Sequence, residues 1–376
     1  MMIHLLDEIP LDYISLDKGS LGKLAPYVKK AGYKQPIIVA DRNTYEAAGR
    51  AVEAELGSLS SAVELCMLQP DATGDCLADE KSIVQLLLAI TPGVTDCLLA
   101  VGSGTIHDIV RFVSSRTGIP FLSVPTAPSV DGFTSKCAPL MIRGVKQTVT
   151  AASPKAIFAD LDILTRAPQE LVAAGFGNML AKYTSLFDWK FSSLTANEPY
   201  DPRVAQITEA ALLDCIAHAD AIGRRTEEGI RVLMNALIES GIAMLMFGQS
   251  HPASGAEHHL SHYWEMAHLE RGRKAMPHGA KVGVACAEIS RLYHDAVTRA
   301  QHPGEQPAQL LQHGIQVREW LEAVPSAPEI RRLLELAGGP STRDELGIDD
   351  ELFAESLREA HKLLGRSTLL RALNGA

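Results

Sequence analysis

The chain has 376 residues, 46% of them hydrophobic and 21% charged, with a net charge of −10. That length suits two domains, each long enough to bury a core of its own. The acidic balance and the lack of a long basic run exclude a duplex nucleic acid partner, which needs clustered Lys and Arg. A small anionic substrate needs only a local cationic pocket and is not excluded.

The N-terminal stretch Met1 to Asp17 carries acidic residues inside its apolar run, so it does not read as a signal peptide. No run reaches about 18 uncharged apolar residues, and no membrane span is expected. Pro36 to Ala40 reads as a buried strand, followed by Asp41 and a helix from Thr44 to Leu56. Val63 to Leu68 is a second strand and Glu80 to Leu88 a helix. Cys97 to Val101 is a third strand, which ends in Gly102-Ser103-Gly104-Thr105 and opens a helix to Ser114. Pro120 to Val124 and Ala156 to Ala159 complete the strands. This alternation of short apolar runs and helical periods predicts a parallel α/β sheet.

Beyond Ala167 the pattern changes to helices: Gln169 to Ser193, Arg203 to Ala221, Glu227 to Met246, Glu257 to Leu269 and His278 to Ala300. Shorter ones are expected over Pro307 to Glu322, Ala327 to Ala337 and Asp350 to Leu373. The tract Gln301 to Pro307 reads as a loop between helices. The expected architecture is therefore an α/β N-terminal domain over residues 1–166 and an all-α C-terminal domain over residues 167–376. Six cysteines, Cys66, Cys76, Cys97, Cys137, Cys215 and Cys286, form no CxxC pair. They read as free thiols of a cytoplasmic protein.

A strand that ends in Gly102-Ser103-Gly104-Thr105 and opens a helix can hold a phosphate group. Glycine lets the backbone approach closely, and the helix N-terminus presents free N–H groups and a positive dipole. An ordinary tight turn would look the same. A second loop, Pro125 to Ser129, follows the next strand, and in a parallel sheet both fall at the carboxyl ends where ligands bind. Thr126 and Ser129 can then hydrogen-bond a dinucleotide. Asp41, after the first strand, can accept from a ribose 2′-hydroxyl and favour NAD, whereas Arg42 beside it favours NADP; the preference stays open.

In the helical half, His258 and His262 are spaced i, i+4 and share a helix face. With His278 they are candidate ligands for zinc, nickel or iron, although 13 histidines will place some together by chance. Five strings occur in order: Gly102 to Asp108; Pro125 to Ser135; Gly175-Phe176-Gly177 with Lys182 to Ser185; Ser254 to His262; and Met276 to Gly283. Together they resemble the sn-glycerol-1-phosphate dehydrogenases, especially the bacterial type associated with arabinose operons, within the iron-containing alcohol dehydrogenase and dehydroquinate synthase-like superfamily. The resemblance spans about Pro36 to Gly283.

That resemblance implies a Rossmann-like nucleotide-binding domain, a helical domain and an active site in the cleft between them. It implies pyrophosphate against Gly102, Ser103, Gly104 and Thr105, and a zinc or nickel ion held by positions 178, 258 and 278. The implied reaction is reversible reduction of dihydroxyacetone phosphate to sn-glycerol 1-phosphate with NADH or NADPH, a step of phospholipid metabolism. A metal would polarise the ketone. Asp131 would orient a substrate hydroxyl or the nicotinamide, or simply serve the turn at Gly132. Lys182, four residues after Asn178, would pair with the substrate phosphate. His262 would relay a proton to the alkoxide, while His259 is structural, and His107 and Asp108 shape the glycine turn.

The family's metal ligand at 178 is an aspartate, and this chain has Asn178. An asparagine brings one neutral oxygen and an amide NH₂ that must be kept off a cation. Three readings follow. The chain is a glycerol-1-phosphate dehydrogenase with an altered metal site, or a relative acting on another polyol phosphate or ketone without metal, or a non-catalytic NAD-binding descendant. Lyase chemistry of the dehydroquinate synthase kind fits the histidine strings less well. The expected partner is a small phosphorylated ketone or polyol; a homo-oligomer is left open.

Overall fold

The computed structural model describes residues 8–57, 63–72, 74–274, 276–299 and 307–375. Residues 1–7, the first part of the N-terminal stretch, and 301–306, most of the expected loop, lie outside the described residues. Eight strands precede Leu161: β1 Tyr13–Asp17, β2 Pro36–Ala40, β3 Glu64–Met67, β4 Cys97–Gly102, β5 Phe121–Pro125, β6 Cys137–Ile142, β7 Val145–Thr150 and β8 Ala156–Asp160. Six form one sheet in the order β1-β8-β5-β4-β2-β3, and every pair is parallel. Each residue of β2, β4, β5 and β8 is buried, as expected of strands covered by helices on both faces. That double burial is why they read as unbroken apolar runs rather than alternating ones.

The register places the functional loops side by side. Val39 lies opposite Ala100, and Gly102 lies opposite Pro125. The carboxyl ends of β2, β4 and β5 are therefore adjacent, and Asp41, Ser103 and Thr126 leave the sheet along one rim.

Beyond Leu161 all described elements are helical. The helix Glu227–Phe247 is long and apolar enough to cross a membrane, but 72% of its apolar window is buried inside the fold. It is a core helix. The expected helix from Gln169 to Ser193 is two, Gln169–Leu180 and Lys182–Ala196, parted at Ala181. The expected helix over Asp350 to Leu373 is likewise divided into Asp350–Glu359 and Leu369–Leu373 with a 3-10 turn near Ala360.

Two features lack a strong sequence signal. β1 is a half-buried edge strand. β6 and β7 form an antiparallel hairpin apart from the main sheet, turning at Arg143 and Gly144 with φ of 52° and 77°. Two consecutive left-handed residues make the primed turn that suits a hairpin, but Arg-Gly lacks the Asn-Gly or Asp-Gly signature.

The helix Gln169–Leu180 is the structural keystone. A Cβ on Gly175 would lie 1.8 Å from the Pro128 carbonyl oxygen, and one on Gly177 would lie 2.5 Å from that of Gly279. A Cβ on Gly279 would in turn lie 1.8 Å from the Ala174 carbonyl oxygen. The same helix thus touches the β5 loop and the helix His278–Arg299 backbone to backbone. Gly279→Ala is expected to cost about 3 kcal/mol or more by overpacking a contact that no rotamer can relieve. Gly314→Ala, where nothing lies within 4 Å, should shift stability by less than about 1 kcal/mol. Urea denaturation of both variants checks the contrast.

Candidate active site

At the rim of the sheet, the turn after β4 is open to a ligand. Ser103 is the N-cap of the helix Gly104–Thr117 in extended geometry, and its side chain makes no cap bond. The first-turn N–H groups are therefore not claimed by a cap. A Cβ on Gly102 would collide with Ile106 at 2.4 Å, and one on Gly104 would crowd Val130 at 3.0 Å. Both glycines are needed for this turn to pack. His107 pins it from behind, with Nδ1 2.9 Å from the Ser103 carbonyl oxygen and Nε2 2.7 Å from the Ser123 hydroxyl. Burial pushes its pKa down to about 3, so it is a neutral structural bridge. Beside it, burial raises Asp108 to about 7.

The β5 loop closes over the same rim. The Thr126 N–H donates to the Gly102 carbonyl at 3.1 Å, and the buried Ser129 hydroxyl has no partner. A buried hydroxyl without a partner next to an open helix start suits a hydrogen-bonding ligand. Asp41 is less free than expected. Its carboxylate accepts from the Thr44 N–H at 2.8 Å, and the Thr44 hydroxyl accepts from the Asp41 N–H at 3.0 Å, a reciprocal cap. At most its second oxygen is left for a ribose.

Arg111, which the sequence reading did not single out, organises the next loop. Its fully buried guanidinium donates to the carbonyls of Cys137 at 2.8 Å and of Gly132, and to the Ser135 hydroxyl at 3.1 Å. Residues 131–137 are thereby tied to the helix that follows the glycine turn. Asp131, at the head of this loop, is gripped from three sides. Its N–H donates to Asn178 Oδ1 at 2.9 Å, and its Oδ2 accepts from Lys182 Nζ at 2.6 Å and from the Ser240 hydroxyl at 2.9 Å. Asn178 and Lys182 do share a side, as their spacing suggested, but what they share is Asp131.

The Lys182 and Asp131 side chains are already paired. Lys182 is fully buried, spends its charge on Asp131 and donates again to the Ala253 carbonyl at 3.1 Å. It is not a free cation awaiting a phosphate. The Asp131 Oδ2 is committed to Lys182 and Ser240, so the residue's first job is to join the two domains.

Three histidines close the opposite wall. The ring centroids of His258 and His278 are 5.2 Å apart, those of His262 and His278 6.0 Å, and those of His258 and His262 6.2 Å. His258 Nδ1 is 2.7 Å from Glu257 Oε1. A carboxylate can only accept, so Nδ1 carries the proton of this bond. Burial pushes Glu257 up, but the bond from His258 and donation from the Thr184 hydroxyl and the Gly255 N–H outweigh it, and its pKa is lowered. Burial holds His262 and His278 well below the usual histidine range, helped by Lys146, so both are neutral imidazoles. His259, on the same helix, is fully buried with neither ring nitrogen partnered and is held at about 3 by burial. It does not join the triangle of rings.

The donor set was tested against a divalent metal. His258 and His278 supply neutral nitrogens, and the side of Asn178 lies against Gly279, the residue after His278. The amide oxygen of Asn178, however, is taken by the Asp131 N–H, and its fully buried NH₂ has no partner. Among the described residues no group of three or more His, Cys, Asp or Glu side chains is placed to hold a metal ion. The set as it stands is two ligands and an amide turned the wrong way; it does not fit a tightly held cation.

Comparison with known proteins shows the family and the fold. The iron-containing alcohol dehydrogenase family matches residues 15–168. A glycerol-1-phosphate dehydrogenase [NAD(P)+] of Geobacillus stearothermophilus is 48% identical over 98% of this chain and 93% of its own length. One of Geobacillus thermodenitrificans is 46% identical over the same shares. Among solved structures, sulfoacetaldehyde reductase from Bifidobacterium kashiwanohense in complex with NAD+ superposes with a TM-score of 0.69 at 14% identity, covering 98% of this chain and 96% of that one. At that identity the likeness speaks for the fold alone, an N-terminal α/β domain and a C-terminal helical domain.

An aspartate at position 178 could accept from Asp131 with one oxygen and offer the other, with its charge, to a cation. Asn178→Asp is therefore expected to tighten zinc or nickel binding at least roughly tenfold, the scale on which single groups around a metal act. Metal analysis after dialysis of both proteins against the same free ion checks this; equal metal contents would contradict it.

Proposed function

Because the chain belongs to the glycerol-1-phosphate dehydrogenase family, we propose that its cleft reduces dihydroxyacetone phosphate to sn-glycerol 1-phosphate with NADH or NADPH, reversibly. The observation that carries this reading is the juxtaposition across one loop. Residues 125–135 begin at the open glycine turn and end on the helix that bears Asn178, which packs backbone to backbone on the helix that begins at His278.

Gly102, Ser103, Gly104 and Thr105 would cradle the pyrophosphate at the helix start, and Thr126 and Ser129 would bond the nicotinamide side. The dinucleotide, once bound, supplies the hydride that adds to the C2 carbonyl. The chain's own task is then to place that carbonyl, bear the charge that grows on its oxygen and deliver one proton. The unpartnered buried NH₂ of Asn178 is a donor without an acceptor in the resting protein, and it suits an alkoxide. A neutral His262 can donate from one ring nitrogen while accepting at the other, so it can pass a proton inward during reduction and outward during oxidation. The His258–Glu257 pair keeps the wall of the cleft in one tautomer. No step is assigned to a metal ion, since the donors present do not fit one.

Purified protein is expected to oxidise NADH or NADPH with dihydroxyacetone phosphate, in the presence of chelator, and to yield the sn-1 product. Absence of turnover with either nucleotide would overturn the reading. His262→Asn should lower kcat by about 10²- to 10⁴-fold, the usual contribution of a positioned proton-transfer group, with a smaller change in KM. Steady-state kinetics of the variant measure both.

A further inference from the structure

The commitment of Lys182 to Asp131 leaves the substrate's phosphate without a counter-charge, and a second buried cation cluster lies beside the histidines. Glu265 Oε2 is 2.6 Å from Lys146 Nζ and 2.8 Å from Lys281 Nζ. Lys281 also donates to the Met276 carbonyl at 2.9 Å. Two ammonium groups thus share a single carboxylate oxygen, which leaves one positive charge uncompensated in a largely buried site.

The helices explain why this cluster adjoins the histidines. Glu265 follows His262 by three residues on the helix Ala256–Glu270, and Lys281 follows His278 by three on the helix His278–Arg299. On a helix, residues three apart are neighbours on one face. The ion cluster therefore continues the histidine wall by about one turn. Lys146 comes from the other domain, on β7 of the hairpin, and its backbone N–H lies 3.4 Å from Met266 Sδ. Of the two lysines it is the more exposed, at 10% against 2% for Lys281.

We propose that Lys146 and Lys281 form the phosphate subsite of this cleft, with Glu265 holding the two ammonium groups in place until phosphate oxygens share them. The assignment rests on the substrate class proposed above and names its anchor. A phosphate dianion brings the charge that the shared carboxylate only half supplies, and an unphosphorylated ketone cannot draw on it. The same arrangement gives the hairpin a reason to lie against the helical domain, because Lys146 joins the site only from there.

The test compares the parent protein with Lys146→Gln and Lys146→Arg, each first checked for folding by circular dichroism. Specificity constants are measured for dihydroxyacetone phosphate and for dihydroxyacetone. The preference for the phosphorylated ketone should fall at least tenfold in Lys146→Gln, through KM rather than kcat, and be largely retained in Lys146→Arg. A Lys146 that only latches the domains would lower both substrates together and leave the ratio intact, which would overturn the proposal. Binding of inorganic phosphate, followed by calorimetry, separates this inference from the catalytic reading. If the parent turns over neither ketone yet binds phosphate, and Lys146→Gln loses that binding, the subsite stands and the substrate assignment falls. If phosphate binds both proteins equally, the subsite falls. Should Lys146→Gln not fold, Lys146→Met is measured in its place with the same two outcomes.

Discussion

Backbone contact at Gly175, Gly177 and Gly279 is the constraint on which the site depends. Helices normally keep 8–10 Å between axes because side chains intervene. Here the side chains are missing on both sides of the crossing, and the helix Gln169–Leu180 packs directly on the helix His278–Arg299 and on the loop after β5. Each glycine inside a helix forfeits up to about 1 kcal/mol relative to alanine. What is gained is position: Asn178 lies beside Gly279 and so beside His278, and the dinucleotide loop abuts the same helix. A chain with alanine at these places would have to move the catalytic wall away from the cofactor rim.

On that frame a set of buried polar bonds fixes the loops and, at two places, joins the two domains. Asp131 is the centre of one, holding Asn178, Lys182 and Ser240 from three different helices. Arg111 is the centre of another, fastening residues 132–137 to the helix of the glycine turn. Lys146, Glu265 and Lys281 make a third at the hairpin. Such groups are costly to bury alone and acceptable when partnered, so each hub fixes a geometry. Lys182 has a carboxylate of its own, whereas Lys146 and Lys281 share one.

Much of this was legible from the chain. Strands β2, β4 and β5 are continuous apolar runs because both faces are covered, and the glycine turn after β4 carries its own signature. His258 and His262 declared a common face by spacing alone. The hairpin β6–β7 was not legible, since its turn is Arg-Gly and its outer strand is largely exposed. Lys146 was hidden with it. Arg111 and Glu265 look like ordinary charges on amphipathic helices, and their partners lie tens to more than a hundred residues away in sequence. The ion pair of Lys182 was not legible either, because Asp131 lies 51 residues earlier and spacing carries no information across that distance.

The central claim is that a dinucleotide on the glycine turn and a phosphorylated ketone under the histidines meet in one cleft. A crystal structure of the protein with NAD+ and sn-glycerol 1-phosphate tests it most directly. The account predicts pyrophosphate oxygens on the N–H groups that open the helix Gly104–Thr117, and the C2 hydroxyl of the product between the nicotinamide and the Asn178 and His262 side chains. A nucleotide bound away from the β4 turn, or a product held outside the His258, His262 and His278 wall, would contradict it.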